Sequence, residues 1–213
     1  MPETGFLDRK TADLNYVVYV PQGLDRVGLP VILFLHGYGE SGRDGLRQTL
    51  IGLPQAIRAD RSRWPFLVVA PQKPEFKDLW ILYKDAIDVM LEDVEKEFQP
   101  DPKRRYITGL SQGGRGTFDL ATRLKWNFAA AAPICGWTEP EESVERLSSM
   151  PIWAFHGDLD EAVKFHSGQK AVEMLSGKGC NATFTLYEGV GHNSWDKAYQ
   201  ESELPAWLME HTT

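Results

Sequence analysis

The chain has 213 residues, 42% hydrophobic and 25% charged, a length and balance that suit one soluble globular domain burying a sheet-and-helix core without disulfide or metal staples. A formal net charge of −7 and a pI near 5.3 repel polyanions, which argues against nucleic acid as a partner. No run approaches the roughly 18 apolar residues of a spanning helix, which argues against membrane insertion, and the opening MPETGFLDRKTADL lacks the apolar centre of a signal peptide.

In chain order, the first strand-like run is LNYVVYV at 14–20, followed by VILFLH at 31–36 and FLVVAP at 66–71. A helix is predicted over 82–98, where Ala86, Met90, Val94 and Phe98 recur every fourth residue, Ile87 and Leu91 widen the apolar stripe, and the other face is acidic. RYITGL at 105–110 reads as a strand, 112–125 as a helix after a Gly-rich turn, and AAAAPIC at 129–135 as a strand. A helix at 140–149 carries Glu141 and Glu142 in its first turn; strand IWAFHG at 152–157 follows, then a helix at 164–177 ending before Gly179. Strand TFTLYEG at 183–189 and a helix at 203–211 complete the series.

Most of these strand runs are continuously apolar, as in strands covered on both faces. Their alternation with helices predicts a single α/β domain over residues 1–213, with a mostly parallel central sheet and helices on both faces. No internal repeat, low-complexity tract or linker interrupts it. Cys135 ends one strand and Cys180 precedes another, at opposite edges of the sheet and beyond the ~7 Å reach of a disulfide, so free thiols are expected.

The sharpest feature is Gly109-Leu110-Ser111-Gln112-Gly113, with Gly114 next, a strand directly before it and a helical segment directly after. In that context the motif is a nucleophile elbow. A serine thrust out on a strained strand-to-helix turn crowds the residues two before and two after it, so both must be small. The same turn sets Ser111 at a helix N-terminus, where free N–H groups favour developing negative charge.

A serine hydroxyl needs a base to take its proton during attack. His192, in the glycine-bearing loop Gly189-Val190-Gly191-His192-Asn193 after the last predicted strand, is the candidate. The orienting acid belongs between them in chain order, and the loop after IWAFHG offers Asp158 and Asp160. Asp160 is preferred, because Asp158 lies nearer the strand and suits a turn cap. For the oxyanion of a tetrahedral intermediate, the backbone N–H groups of Gln112 and of Tyr38, in His36-Gly37-Tyr38-Gly39, are the expected donors. His36 and His156 are expected to brace their loops, and His166 and His211 to lie on helix surfaces.

These motifs, together with GFLDRK, VILFLHGYGESG, VVAPQ, YITGLSQGGRGTFDLA, FAAAAPICGW, IWAFHGDLDEAV and YEGVGHNSWD, carry a resemblance over nearly the whole chain. It resembles the small, lidless bacterial α/β-hydrolases of the carboxylesterase and predicted-peptidase group, related to dienelactone hydrolases and feruloyl esterases. The resemblance implies an α/β-hydrolase fold without a cap domain, the triad Ser111, Asp160 and His192, and the donors Tyr38 and Gln112. Gln112 departs from the group, many members of which carry Met there. Many members are exported or embedded in longer chains, so the compartment and the length of the natural protein stay open.

Only residues 136–151 separate AAAAPIC from IWAFHG, which leaves no room for a lid. Trp80, Trp137 and Trp195, with Tyr38, fall in or beside loops at the catalytic edge and suggest an aromatic-walled pocket. The expected partner is a small-molecule carboxylic ester, short-chain or aryl, with phenolic esters of plant material among the candidates. No metal or other cofactor is called for. A serine peptidase or thioesterase with the same triad is the rival reading. A noncatalytic binding module is the other, though it would need none of these residues.

Overall fold

The computed structural model describes residues 3–25 and 27–213. Of the range 1–213 read as one domain, residues 1, 2 and 26 lie outside the described residues. Strands β1 (Gly5–Lys10), β2 (Asn15–Val20), β3 (Val31–Leu35), β4 (Leu67–Gln72), β5 (Arg105–Leu110), β6 (Ala130–Ile134), β7 (Ile152–Gly157) and β8 (Ala182–Tyr187) form one sheet in the order β1-β2-β4-β3-β5-β6-β7-β8. β2 pairs antiparallel with β1 and with β4, while every pairing from β4 through β8 is parallel. The helices are α1 (Gly52–Ala59), α2 (Lys84–Phe98), α3 (Gln112–Leu120), α4 (Pro140–Leu147), α5 (His166–Gly177), α6 (Trp195–Gln200) and α7 (Leu204–Met209).

The continuous apolar runs have a simple cause, since successive side chains on a strand point to opposite faces and both faces are covered. Val31, Leu33 and Leu35 of β3 join a cluster with Ile87, Met90, Leu91, Val94 and Phe98 of α2 and Val172 and Leu175 of α5. Ile32 and Phe34 of the same strand join the opposite cluster with Leu53 and Ile57 of α1, Tyr199 of α6 and Leu208 of α7. Each such side chain contributes about 1.5–3 kcal/mol through burial, so the central strands are the rigid frame from which loops project.

β5 and β7 match the predicted runs residue for residue, and α2 buries the predicted stripe, with Ala86 only partly covered. Cys135 and Cys180 are free. Among strands and α-helices of the described residues, β1, α1 and α6 are additional. Helix α3 is shorter than predicted, and the last predicted helix closes at Met209 as α7. Between β6 and β7 the chain forms only the short α4. No helix is long and apolar enough to cross a membrane among the described residues.

Candidate active site

Strands β3 through β8 run parallel and end on one edge of the sheet, and the predicted site residues follow those ends. Ser111 sits between β5 and α3 with φ 55°, a left-handed conformation that costs a residue with a Cβ energy and survives only where the surroundings impose it. Its N–H donates to Ile134 O at 2.9 Å, with Cys135 Sγ at 3.3 Å, which ties the elbow to the end of β6. A Cβ on Gly109 would lie 2.5 Å from Gly113 O, and one on Gly113 would overlap the carbonyl of Leu35. Both partners are backbone, so neither can yield. Gly113→Ala is therefore expected to destabilise the fold by about 4 kcal/mol or more; a chemical denaturation midpoint close to that of the parent chain would refute this account of the motif.

Ser111, His192 and Asp160 form one hydrogen-bonded chain. His192 Nε2 is 3.0 Å from Ser111 Oγ, and His192 Nδ1 is 2.7 Å from Asp160 Oδ2. Asp160 is fully buried, whereas His192 keeps part of its surface in solvent. Asp160 Oδ1 accepts the N–H groups of Ala162 and Val163 at 2.9 and 2.8 Å, and Oδ2 accepts a second histidine, His156, through Nε2 at 3.1 Å. Burial pushes the Asp160 carboxyl up, but hydrogen bonds from His192 and Val163 and the nearby imidazoles outweigh it and hold the group below the usual carboxylate range. An ionised acceptor beside Nδ1 fixes the His192 proton there and leaves Nε2 free to accept the serine proton. The other carboxylate of this loop, Asp158, instead accepts Gly189 N–H at 2.8 Å.

The loop after β3 lies against the serine, since a Cβ on Gly37 would be 3.6 Å from Ser111 Cβ and 2.9 Å from Leu110 Cδ1. Tyr38 N–H follows Gly37 directly, and Gln112 N–H opens α3. Neither N–H is engaged in a hydrogen bond among the described residues. His36 braces this loop as expected: Nδ1–H donates to Gly37 O at 2.6 Å and Nε2 accepts Lys73 N–H at 2.9 Å. Burial, offset in part by the Gly37 carbonyl and reinforced by the Lys73 charge, pushes His36 down to about 3, so it is neutral and not a base. His156 donates from Nε2 to Asp160 and to Val163 O, and burial holds its pKa below the ordinary value.

The aromatic residues divide. Trp80 is 1% exposed, its Nε1–H donates to His36 O at 3.0 Å, and a Cβ on Gly116 of α3 would meet it at 2.8 Å. It props the β3 loop from inside the core and does not wall an open pocket, a correction to the sequence expectation. Trp195 packs edge-on against His192 with ring centroids 5.4 Å apart. Trp137, half-buried, lines a cleft of about 480 Å³ with Ala162, Val163, Lys164, His166 and Ser167, next to the Asp160 loop. A cleft of about 550 Å³ over β1, β2 and residues 44–46 shares no residue with the triad. His166 is exposed as expected, whereas His211 lies beyond the end of α7, partly buried against Trp207.

Sequence reading missed several neighbours of the site. Phe76, 42% exposed, meets the 53% exposed Tyr38 edge to face at 5.0 Å, and its carbonyl accepts Gln112 Nε2 at 3.1 Å. Glu40 turns its half-buried carboxyl to Gly37 N–H, and burial raises its pKa despite that bond. Cys135 lies under Ser111 with a thiol that burial keeps protonated. Phe76 lies outside every motif, and although Glu40 and Cys135 fall inside the HGYGESG and APICGW stretches, nothing in those stretches marks their contact with the site, which is tertiary. No cluster of three or more histidine, cysteine or carboxylate side chains suited to a metal ion occurs among the described residues.

The sequence profile of the Dienelactone hydrolase family matches residues 68–204. Carboxylesterase SOBER1 of Arabidopsis thaliana is 30% identical over 113 residues, covering 51% of this chain and 49% of that protein. Bifunctional acetylxylan esterase/xylanase XynS20E of Neocallimastix patriciarum is 26% identical over 152 residues, 70% of this chain and 22% of that one. The chain thus spans about half the length, or less, of these curated relatives. Among solved structures, a thermostable esterase superposes with a TM-score of 0.85 at 30% identity, over 98% of this chain and 63% of that one. The profile begins inside β4 and ends at the first residue of α7, so it takes in the elbow, the acid loop and the histidine loop together, on an α/β-hydrolase sheet: the chain belongs to the dienelactone hydrolase family.

Proposed function

We propose that the described residues act as one catalytic unit, a serine carboxylesterase that works through an acyl-enzyme on Ser111. The observation that carries this reading is the unbroken hydrogen-bond chain from Asp160 through His192 to Ser111 Oγ. In the first half-reaction, Ser111 Oγ attacks the ester carbonyl as His192 Nε2 takes its proton, and Asp160 stabilises the imidazolium without itself being protonated. The N–H groups of Tyr38 and Gln112 hold the oxyanion. Collapse expels the alcohol, which receives the proton from His192. Water, deprotonated by His192, then attacks the acyl-serine, and collapse of that intermediate releases the acid as His192 returns the proton to Ser111 Oγ.

The substrates proposed are short-chain and aryl carboxylic esters, including feruloyl-type phenolic esters. The esterase names of the relatives support the bond class, and the aromatic surfaces of Tyr38, Phe76 and Trp137 support planar groups. The test is turnover of nitrophenyl acetate, butyrate and octanoate and of methyl ferulate, beside an acyl thioester and a peptide, in the presence of a chelator. Ester turnover is expected to dominate. Trp137→Ala is expected to lower kcat/KM for methyl ferulate by about tenfold relative to nitrophenyl acetate, the loss of one aromatic contact. Equal effects on both esters would remove Trp137 from the substrate site, and turnover of the thioester or peptide alone would overturn the esterase reading.

A further inference from the structure

Lys73 follows β4 directly and is a charge the mechanism above does not use. Its side chain is 0% exposed, and it forms no ion pair among the described residues. Its Nζ instead donates to two neutral acceptors, Ser41 Oγ at 3.0 Å and Glu75 O at 2.5 Å. Burying an ammonium with no carboxylate in contact opposes folding, so the position invites a functional account.

The contacts supply one. Ser41 belongs to the loop that carries Tyr38, and Lys73 grips that loop three times: Nζ to Ser41, Lys73 N–H to His36 Nε2, and Lys73 O from Gly42 N–H at 2.9 Å. The segment that follows it grips the other donor residue. Phe76 O accepts Gln112 Nε2, and the Phe76 ring packs on Tyr38. The Nζ bond to Glu75 O closes this segment back on itself. Tyr38 and Gln112, which follow separate strands, are thus both held by residues 73–76.

We propose that Lys73 is the positioning residue of the oxyanion hole, its buried ammonium joining loop 36–42 to segment 73–76 so that the Tyr38 and Gln112 N–H groups keep one spacing. The role rests on the esterase reading above. Burial lowers the Lys73 pKa to about 8, against the opposing pull of Asp78 and Glu75. The facing groups are Glu75 on its own segment, Asp78 just beyond it, neutral His36 after β3, and Glu40 on the gripped loop, whose carboxyl is turned to Gly37. Losing the proton near pH 8 removes the charge that strengthens both Nζ bonds, so wild-type kcat is expected to fall as pH rises through about 8. Because the folded-state pKa is depressed, deprotonation in this range favours the folded chain, so the fall does not report unfolding.

The experiment compares the full chain with Lys73→Met and Ser41→Ala in nitrophenyl butyrate hydrolysis from about pH 6 to 10, with fluorophosphonate labelling to count reactive Ser111. Lys73→Met is expected to keep its melting temperature, to lose about 10- to 100-fold in kcat with KM within about twofold, and to lack the alkaline fall. Ser41→Ala removes one acceptor and keeps the charge, so a few-fold lower kcat and a fall displaced to lower pH are expected. A folded Lys73→Met with wild-type kcat and the same alkaline fall overturns the role. Should that variant not fold, Ser41→Ala decides by the same two readouts. Insensitive variants with normal labelling overturn only Lys73, whereas absent labelling and turnover in the wild type overturn the esterase reading and this role with it.

Discussion

Ser111→Ala is expected to reduce kcat/KM for nitrophenyl acetate by on the order of 10⁴ to 10⁶, while the folded chain keeps its stability to within about 1 kcal/mol. The effect is large because the rest of the site cannot substitute for the missing oxygen. Cys135 lies under Ser111, its Sγ 3.3 Å from the Ser111 nitrogen, but burial keeps its thiol protonated and it offers no alternative nucleophile. What would remain is the transition-state binding proposed for the N–H groups of Tyr38 and Gln112, so a residual rate above water is expected. The stability is spared because the positive φ at position 111 is imposed by backbone contacts that alanine leaves intact. A folded variant that hydrolyses the ester at the parental rate would sink the acyl-serine mechanism, and loss of the fold would instead indict the account of the elbow.

The core of the fold was readable because it is encoded locally. β5 and β7 are buried apart from the partly covered Arg105 and Trp153, their runs stop where the chain turns, and the Gly109 to Gly114 pattern reports a steric requirement visible in six residues. β1 escaped because it is a half-buried edge strand, GFLDRK, with charges where an inner strand has Val or Ile. α1 escaped because Gly52 and Pro54, read along the sequence, punctuate rather than begin a helix; Gly52 has φ 61° and packs against Leu110 and Phe34. Trp80 was placed by its neighbours in sequence, but its position is decided by Gly116, which opens the space its indole fills. Lys73 and Phe76 were invisible for a related reason. Neither sits in a motif, and what matters about them is contact with residues about 36 positions away. Motifs identify groups that react; the groups that hold them in register are set by tertiary packing.

The choice between the two carboxylates of the acid loop is the part of the site most open to a decisive variant. Asp160→Asn is expected to lower kcat on the order of 10⁴, with little change in KM, whereas Asp158→Asn leaves kcat within a few-fold of the parent chain. The asymmetry follows from what each carboxylate accepts. In Asp160→Asn the amide oxygen can still take the Ala162 and Val163 N–H groups, so the loop keeps its shape. The amide NH2 then faces His192 Nδ1 and His156 Nε2, two nitrogens that both donate to the carboxylate in the parent. Donor against donor drives the His192 proton to Nε2, and the nitrogen next to Ser111 Oγ no longer has a lone pair to offer. The change is electronic, so labelling by a fluorophosphonate should slow along with turnover while melting changes little. Asp158 faces only Gly189 N–H, and its asparagine retains an oxygen for that bond. Equal losses from the two variants would mean that the loop's shape, and not the Asp160 charge, governs His192.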